Sequence, residues 1–361
     1  MGLPYDDEVA TYRGRERCRE RIEKLARSGG SGEALQHEVV AELEREIGFD
    51  RWCWPAADPE TLVPGSGLAD HDYGPALPRA LELEYSGSDL GAKDVLARRP
   101  DPSSSLMVET HGDLARSPRW EEVLAPVGIG DVAAAACRDA FGCWGWVEVY
   151  RDRSDHEFTE AEIELLGQVG PELGGVLRRQ VRDPGGRGVA TSPGILVLDH
   201  DLIVVSQTAA AGSWSERLSG AAAFAHWGIL HPVIYPVATL ARTGEAERAH
   251  AMLPVPDDGW VRVEAATLEG AGAPAIAVTL RAASSEETFD LVCRAHGLSR
   301  REREVVALLR EGLGTTAVTR RMFISPYTLQ DHLKSIFAKL GVHSRAELLA
   351  RLSVLSPPDH C

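Results

Sequence analysis

Residues 296–352 read HGLSRREREVVALLREGLGTTAVTRRMFISPYTLQDHLKSIFAKLGVHSRAELLARL, and the punctuation of this stretch predicts four short helices. Ser299 with Glu302 three residues on forms a capping box, and Val305, Val306, Leu308 and Leu309 give the first helix an apolar face. Gly312 and Gly314 stop it. Thr315 or Thr316 is expected to cap a second helix running through Met322, with Phe323 and Ile324 as the turn. Ser325 followed by Pro326 is an N-cap with proline at the first helical position, where the missing N–H costs least. A third helix then runs from Tyr327 to Leu340. Leu329, Leu333, Ile336, Phe337 and Leu340 share its inner face, and Gln330, Asp331 and Lys334 its outer one. Gly341 ends it, and Ser344 with Glu347 opens a fourth helix by a second capping box. Two helices joined by a tight turn, the second with a polar outer face, form a helix-turn-helix.

A small bundle that contacts only protein would share this helical pattern. Fixed-spacing residues separate the two readings: Leu298-Ser299-x-Arg301-Glu302-x-Glu304-Val305, Gly312-Leu313, Ile324-Ser325-x-x-Thr328-Leu329-x-x-His332-Leu333-Lys334-x-Ile336-Phe337-x-Lys339-Leu340, and Ser344-Arg345. With these the stretch, about a sixth of the chain, resembles the DNA-binding domain of LuxR-type regulators. The resemblance implies that the third helix enters a DNA major groove, whose width admits one helix. It places Thr315, Thr316, Arg320, Arg321, Ser325, Tyr327, Thr328, Gln330, Asp331, Lys334, Lys339 and Arg345 at the DNA. Two departures bear on the target sequence rather than the activity. Thr315-Thr316 stands where Asn-Lys or Asn-Arg is common, and Gln330-Asp331 replaces a more usual Lys-Val. Asp331 can accept from a cytosine amino group or turn to a neighbouring cation.

The chain has 361 residues, 44% hydrophobic and 25% charged, with a net charge of −16. That length suggests two or three domains, and the composition suits packed cores rather than disorder. The charge is uneven. Residues 296–352 hold ten Lys or Arg and five Asp or Glu, a net of +5, which leaves −21 for the remainder. A basic end on an acidic body binds DNA locally while the body repels it. No apolar run approaches the roughly 18 residues of a membrane span, and the charged stretch 1–27 does not read as a signal peptide, so a cytoplasmic protein is expected. The six cysteines include no pair at metal-ligand spacing, the twelve histidines do not cluster, and reduced buried thiols are the expected state.

Upstream, residues 6–27 form a charged helix with Val9, Tyr12, Cys18, Ile22 and Leu25 as a ragged stripe. Residues 33–47 form a second, with Leu35, Val39, Leu43 and Ile47 at fourfold spacing. Such a pair serves as a dimer contact or packs on its own domain. Arg51 to Trp54 reads as a strand, Ser66 to Tyr73 as a polar loop, 76–85 and 89–97 as helices, and 98–105 as a loop. Strands are expected at 131–139 and 143–150. Thr159 caps a helix through Arg178, with Glu162 as its capping-box partner. The run Trp144-Gly-Trp146-Val-Glu148-Val-Tyr150 followed by Phe158-Thr159-x-x-Glu162-x-x-Leu165-Leu166 resembles the closing segment of GAF sensor domains. Trp52, Trp54, Trp120, Trp144 and Trp146 are candidates for lining a ligand pocket there, or are ordinary core.

Residues 182–188 are a Gly-rich linker. Strands at 194–199 and 202–206 joined by a His-Asp turn, alanine-rich helices near 208–225 and 233–243, then strands at 260–264 and 276–280, follow an order that resembles a PAS-like sensor fold. A helix over 285–296 leads into the C-terminal module. Asp199 ends an apolar strand, but a phosphoacceptor reading lacks its acidic pair and strand-end lysine, since Lys24 and Lys93 are the only lysines before the module. Neither a phosphate-cradling loop nor a G-x-S-x-G elbow is present.

The expected architecture is a multidomain α+β chain: a GAF-like domain with N-terminal helices (1–182), a PAS-like domain (189–284), and an all-α four-helix helix-turn-helix domain (291–356). The expected function is a sequence-specific transcriptional regulator without catalytic residues, metal or cofactor, whose acidic sensor body controls the C-terminal module through dimer geometry. Double-stranded DNA, a second copy of the chain in a homodimer, a small-molecule effector and RNA polymerase are the candidate partners, and a membrane is not. Two alternatives differ in class. A sigma factor would need an aromatic- and Lys-rich promoter-melting region, which this acidic body lacks. A ligand-binding or enzymatic body with a vestigial helix-turn-helix would co-purify with a small molecule but read no DNA sequence.

Overall fold

The computed structural model describes residues 4–30, 32–70, 73–182, 192–219, 229–255, 259–270 and 274–354. They form two compact units, one with the first five-stranded sheet and most of the second, the other with the C-terminal helices and residues 254–262. Most of the expected linker (183–188), the continuation of the alanine-rich helix beyond 219 and Cys361 lie outside the described residues.

The first unit begins with α1 (Pro4–Arg27) and α2 (Glu33–Ile47). The buried line on α1 is Gly14, Cys18, Ile22 and Ala26, one residue every fourth position, and Tyr12 is exposed. A side chain at Gly14 would begin 2.5 Å from the Glu46 carboxylate of α2, so glycine permits this approach. The first sheet contains β1 (Arg51–Ala57), β2 (Pro64–Ala69), β3 (Ser103–Ser105), β4 (Ile129–Asp139) and β5 (Gly142–Asp152) in the order β2-β1-β5-β4-β3. Between its strands lie α3 (Leu77–Tyr85), α4 (Lys93–Leu96) and α5 (Leu106–Glu109), and α6 (Glu160–Gln180) follows β5 with the expected Thr159–Glu162 capping box. Gly170 and Gly174 of α6 let its backbone reach the Ala136 and Cys137 carbonyls of β4, where a Cβ would stand at 2.7 Å.

Residues 66–69, expected as part of a loop, belong to a strand, β2. Trp54 pairs with Leu68 and Cys53 with Ala69. Its Pro-Gly-Ser-Gly composition carries no alternation, so the pairing comes from β1 and not from local preference. At Gly67 an added Cβ would lie 2.5 Å from the Pro55 Cα. β3 was likewise expected as loop; three serines face Ala133 to Ala135 across the sheet.

The second sheet contains β6 (Gly194–Leu198), β7 (Val204–Gln207), β8 (His250–Val255), β9 (Gly259–Leu268) and β10 (Ala275–Ala282) in the order β7-β6-β10-β9-β8. Relative to its first strand this is the connectivity of the first sheet. α7 (Ala209–Ser219) and α8 (Ile234–Arg242) lie between β7 and β8. Side chains of the two sequence segments are joined within this unit. Arg242 pairs with Glu82 at 2.6 Å, Arg248 with Asp94 at 2.6 Å, and Asp58 accepts from the Met252 amide at 2.7 Å.

The second unit holds α9 (Ser285–Ala295), α10 (Arg300–Arg310), α11 (Thr315–Met322), α12 (Pro326–Leu340) and α13 (Arg345–Val354). Val292, Cys293, Leu298, Val305, Val306, Leu309, Val318, Leu329, Ile336, Leu340, Leu348 and Leu352 form one core. Among the described residues no helix is long and apolar enough to cross a membrane.

Candidate nucleic-acid interface

The local signals set the helix starts. Ser299 Oγ accepts from the Glu302 amide and the Glu302 carboxylate accepts from the Ser299 amide at 2.7 Å, closing the capping box on α10. α11 departs from expectation: its N-cap is Gly314, without a side-chain cap, and Thr315 is already helical. Ser325 caps α12 by accepting from the Thr328 amide at 3.1 Å, with Pro326 at the first helical position. Ser344 accepts from the Glu347 amide at 3.1 Å, but Glu347 returns to the His343 amide at 2.8 Å, one residue earlier than in a standard box.

The turn between α11 and α12 is held by Ile324 donating to the Thr319 carbonyl at 3.1 Å. Its corner is Phe323, left-handed at φ 55° and 96% exposed. A β-carbon in that region clashes with the following carbonyl, which is why glycine usually sits there.

Leu329, Ile336 and Leu340 of α12 are buried, with Leu333 and Phe337 packed against the same core. On the opposite side Tyr327, Thr328, Gln330, Asp331 and Lys334 are exposed. Lys334 stands 4.0 Å from Asp331, both side chains 79% exposed, so this pair is loose. On α11, Thr315, Thr316, Arg320 and Arg321 are exposed. Arg320 and Arg321 meet no carboxylate among the described residues. Other cations of the module are engaged: Arg301 with Glu304, Arg303 with Asp290, and Arg310 over the Phe289 ring.

Two of the twelve expected contact residues are held by the module itself. Lys339 Nζ lies 2.6 Å from Glu302, whose side chain is buried. Burial alone would raise that carboxyl; the bonds from Lys339, Ser335 and Ser299 outweigh it and bring the pKa down to about 2. Arg345 donates to the Leu309 carbonyl at 3.2 Å, satisfying the C-terminal end of α10. The family resemblance puts both on the DNA side; in the structure each also bonds within the bundle.

None of the five tryptophans lines the cavity found in the first unit, which is walled in part by Cys53, Pro55, Glu84, Lys93, Arg119, Glu148 and Tyr150. The alternation of β1 explains two of them. Cys53 and Pro55 face the cavity, so Trp52 and Trp54 face the helices, with Trp52 edge-on to His37 of α2 at 5.4 Å. Trp146 lies further along β5 and donates to the Lys93 carbonyl at 3.0 Å, Trp144 donates to Asp139 at 2.9 Å, and Trp120 donates to the Ile129 carbonyl at 3.1 Å. Cys18, Cys53, Cys137, Cys143 and Cys293 are free thiols; burial pushes Cys18 and Cys293 up to about 12. Asp199, His200 and Asp201 bring three ligand-type atoms within 4.8 Å. Asp199 already accepts from the Asp201 and Ile203 amides, and the other two side chains are exposed and paired with each other.

Comparison with known proteins covers the C-terminal part. Residues 296–352 match the family described as bacterial regulatory proteins, luxR family. The HTH-type transcriptional regulator Rv0890c of Mycobacterium tuberculosis is 48% identical over 48 residues, 13% of this chain and 5% of that protein. The monoamine regulon transcriptional regulator of Klebsiella aerogenes is 43% identical over 54 residues, 15% and 24% of the two chains. The oxygen regulatory protein NreC of Staphylococcus aureus is 36% identical over 66 residues, 18% and 30%. The chain thus spans less than a third of each of these relatives. A solved structure of the Vibrio cholerae VqmA dimer, described as a LuxR-type receptor, aligns over 45% of this chain and 82% of its own at 16% identity, with a TM-score of 0.20. A score that low supports no comparison of architecture. The caps, the turn and the sequence match agree on one point: residues 296–352 are a LuxR-type helix-turn-helix domain.

Proposed function

We propose that this protein is a cytoplasmic, sequence-specific transcriptional regulator that binds double-stranded DNA with α12 in the major groove. The observation that carries the reading is the division of charge within the module. Arg300, Arg301, Arg303 and Lys339 are paired with carboxylates, Arg310 stacks on Phe289 and Arg345 bonds a carbonyl, while Arg320, Arg321 and the loosely held Lys334 stand exposed on α11 and α12, available to phosphates and base edges. The exposed N-terminus of α12, capped by Ser325, adds donors suited to a phosphate. On this reading Thr315, Thr316, Arg320, Arg321, Ser325 and Thr328 position the backbone, and Gln330, Asp331 and Lys334 read bases.

We read the body as a sensor without catalytic function, with GAF-like and PAS-like segments. Support comes from the strand–strand, helix, three-strand connectivity that both sheets repeat. We further propose a homodimer, whose two recognition helices would reach major grooves roughly 34 Å apart, with an effector acting on that geometry and RNA polymerase as the downstream partner.

The test is selection by the full chain from a pool of random-sequence duplexes. An inverted repeat with half-sites one helical turn apart is expected to enrich, and Arg320→Ala and Lys334→Ala to weaken its capture. Recovery of no motif by a protein whose circular dichroism shows it folded would sink the reading.

A further inference from the structure

The cavity in the first unit, about 570 Å³, falls in the range of small-molecule sites. Much of its wall is apolar, with Leu77, Leu81 and Leu124 among the lining residues. Its polar wall is a buried cluster of charges. Lys93 Nζ lies 2.6 Å from Glu84 and 3.2 Å from Glu148, and Arg119 Nε lies 2.9 Å from Asp89.

The bonding of this cluster is incomplete on two neighbouring groups. Asp89 accepts three bonds, from Ser117 Oγ and from both the backbone N–H and Nε of Arg119. Arg119 is only 6% exposed, yet its Nη1 stands 3.8 Å from both Glu84 and Glu148, beyond hydrogen-bond reach. Among the described residues its terminal N–H groups meet no acceptor. Glu148, 4% exposed, accepts from Lys93 alone. A carboxylate has about four acceptor sites and a guanidinium five donors, and buried polar groups are normally satisfied. Unmet donors and unmet acceptor sites therefore lie side by side in the cavity wall.

Charge narrows what could meet them. Three carboxylates line it, Asp70, Glu84 and Glu148, against Lys93 and Arg119, so the wall is net negative, with Asp89 behind Arg119, and a free carboxylate or phosphate is disfavoured. A cation would satisfy Glu148 and leave the Arg119 donors unmet. A neutral group with a donor beside an acceptor meets both. We propose that this cavity binds a neutral, largely apolar small molecule through the edge of a lactam or carboxamide, its N–H donating to Glu148 and its carbonyl accepting from Arg119. The site gives the proposed sensor body a ligand class, and its test involves no DNA, so either idea can fail without the other.

Calorimetry and thermal shift on the full chain test it with 2-quinolinone as probe. Binding by 2-quinolinone is expected, at least tenfold tighter than by N-methyl-2-quinolinone, which lacks the donor, and by 2-naphthoate, an anion of similar size. Equal binding of lactam and N-methyl lactam, tightest binding of the naphthoate, or no binding of 2-quinolinone would each overturn the proposal. Ser66→Trp, at an exposed residue of the cavity rim, is expected to lower the lactam affinity at least tenfold without changing the melting temperature of the free protein. Unchanged affinity in that folded variant would place the ligand elsewhere and also overturn it.

Discussion

Two residues show how single groups can separate a structural role from a DNA-contacting one. Lys339 falls on a position that the family resemblance puts at the DNA, but its ammonium lies 2.6 Å from the buried Glu302. Lys339→Met would leave that carboxylate without its cation, a loss of about 1–3 kcal/mol for a part-buried pair. Urea denaturation followed by helical signal is expected to show it; unchanged stability with weakened DNA binding would return Lys339 to the interface. The same carboxyl predicts a pH dependence. Its pKa falls from an ordinary 4.5 to about 2 in the fold. The unfolded state therefore binds the proton more tightly, so the stabilisation is complete above pH 4.5 and lost as pH falls toward 2. Glu302→Gln should flatten that slope. Phe323 makes the opposite case. It is left-handed at φ 55° with its ring in solvent, so Phe323→Gly should stabilise the module by about 0.5–1 kcal/mol. A ring kept at such a cost suggests a contact outside the chain, and a stability gain coupled to weaker DNA capture would locate that contact at the DNA.

At the scale of elements, α12 separates stability from recognition along one helix. Ser325 holds its first turn through the Thr328 amide, and Ser325→Ala should cost about 1 kcal/mol of stability. Lys334, 79% exposed, should cost nothing in stability when changed to alanine but about 1–3 kcal/mol in DNA affinity. Titration of a selected duplex with both variants at one salt concentration tests this; unchanged affinity in Lys334→Ala would remove it from the interface. This helix was legible because its signals are local: a cap, a proline, an apolar period and a closing glycine, all within seventeen residues of sequence. β2 and β3 were not, because their Gly- and Ser-rich segments acquire strand geometry only from β1 and β4. The cavity was less legible still. Glu84, Lys93, Arg119 and Glu148 come from four places in the chain, and no spacing rule joins them. The one available trace was the rarity of lysine: outside the module only Lys24 and Lys93 occur, and Lys93 is buried between two glutamates. There burial alone would lower its pKa, but Glu148 and Glu84 reverse that and raise it.

For the whole molecule the governing quantity is the contrast between a module of net +5 and a remainder of net −21. Non-specific DNA affinity comes almost entirely from neutralised phosphates and released counterions, and an acidic body tethered to the basic module opposes the approach. The segment 281–361 can test this because its core is drawn from α9 to α13, with the Ser284–Glu287 capping box and the Arg281–Glu287 pair retained at its start. It should fold alone. At low ionic strength it should bind a random duplex more tightly than the full chain does. The gap should narrow as salt rises, because the Debye length falls from about 30 Å at 0.01 M to about 8 Å at 0.15 M. A selected inverted repeat should reverse the ranking if the body supplies the dimer contact, since linking two modules makes the second binding event intramolecular. Both proteins can be titrated against both duplexes across the same salt series, with sedimentation giving the assembly state. Tighter binding of the random duplex by the full chain at low salt would show that the acidic body does not repel DNA. Equal ranking on the two duplexes would show that dimerisation by the body contributes nothing to recognition. Two fragment modules protecting both half-sites cooperatively would move the dimer contact into the module. Ala346 and Ala350, exposed and one turn apart on α13, would then be the positions to charge: Ala350→Glu should abolish the cooperativity and leave the fold intact.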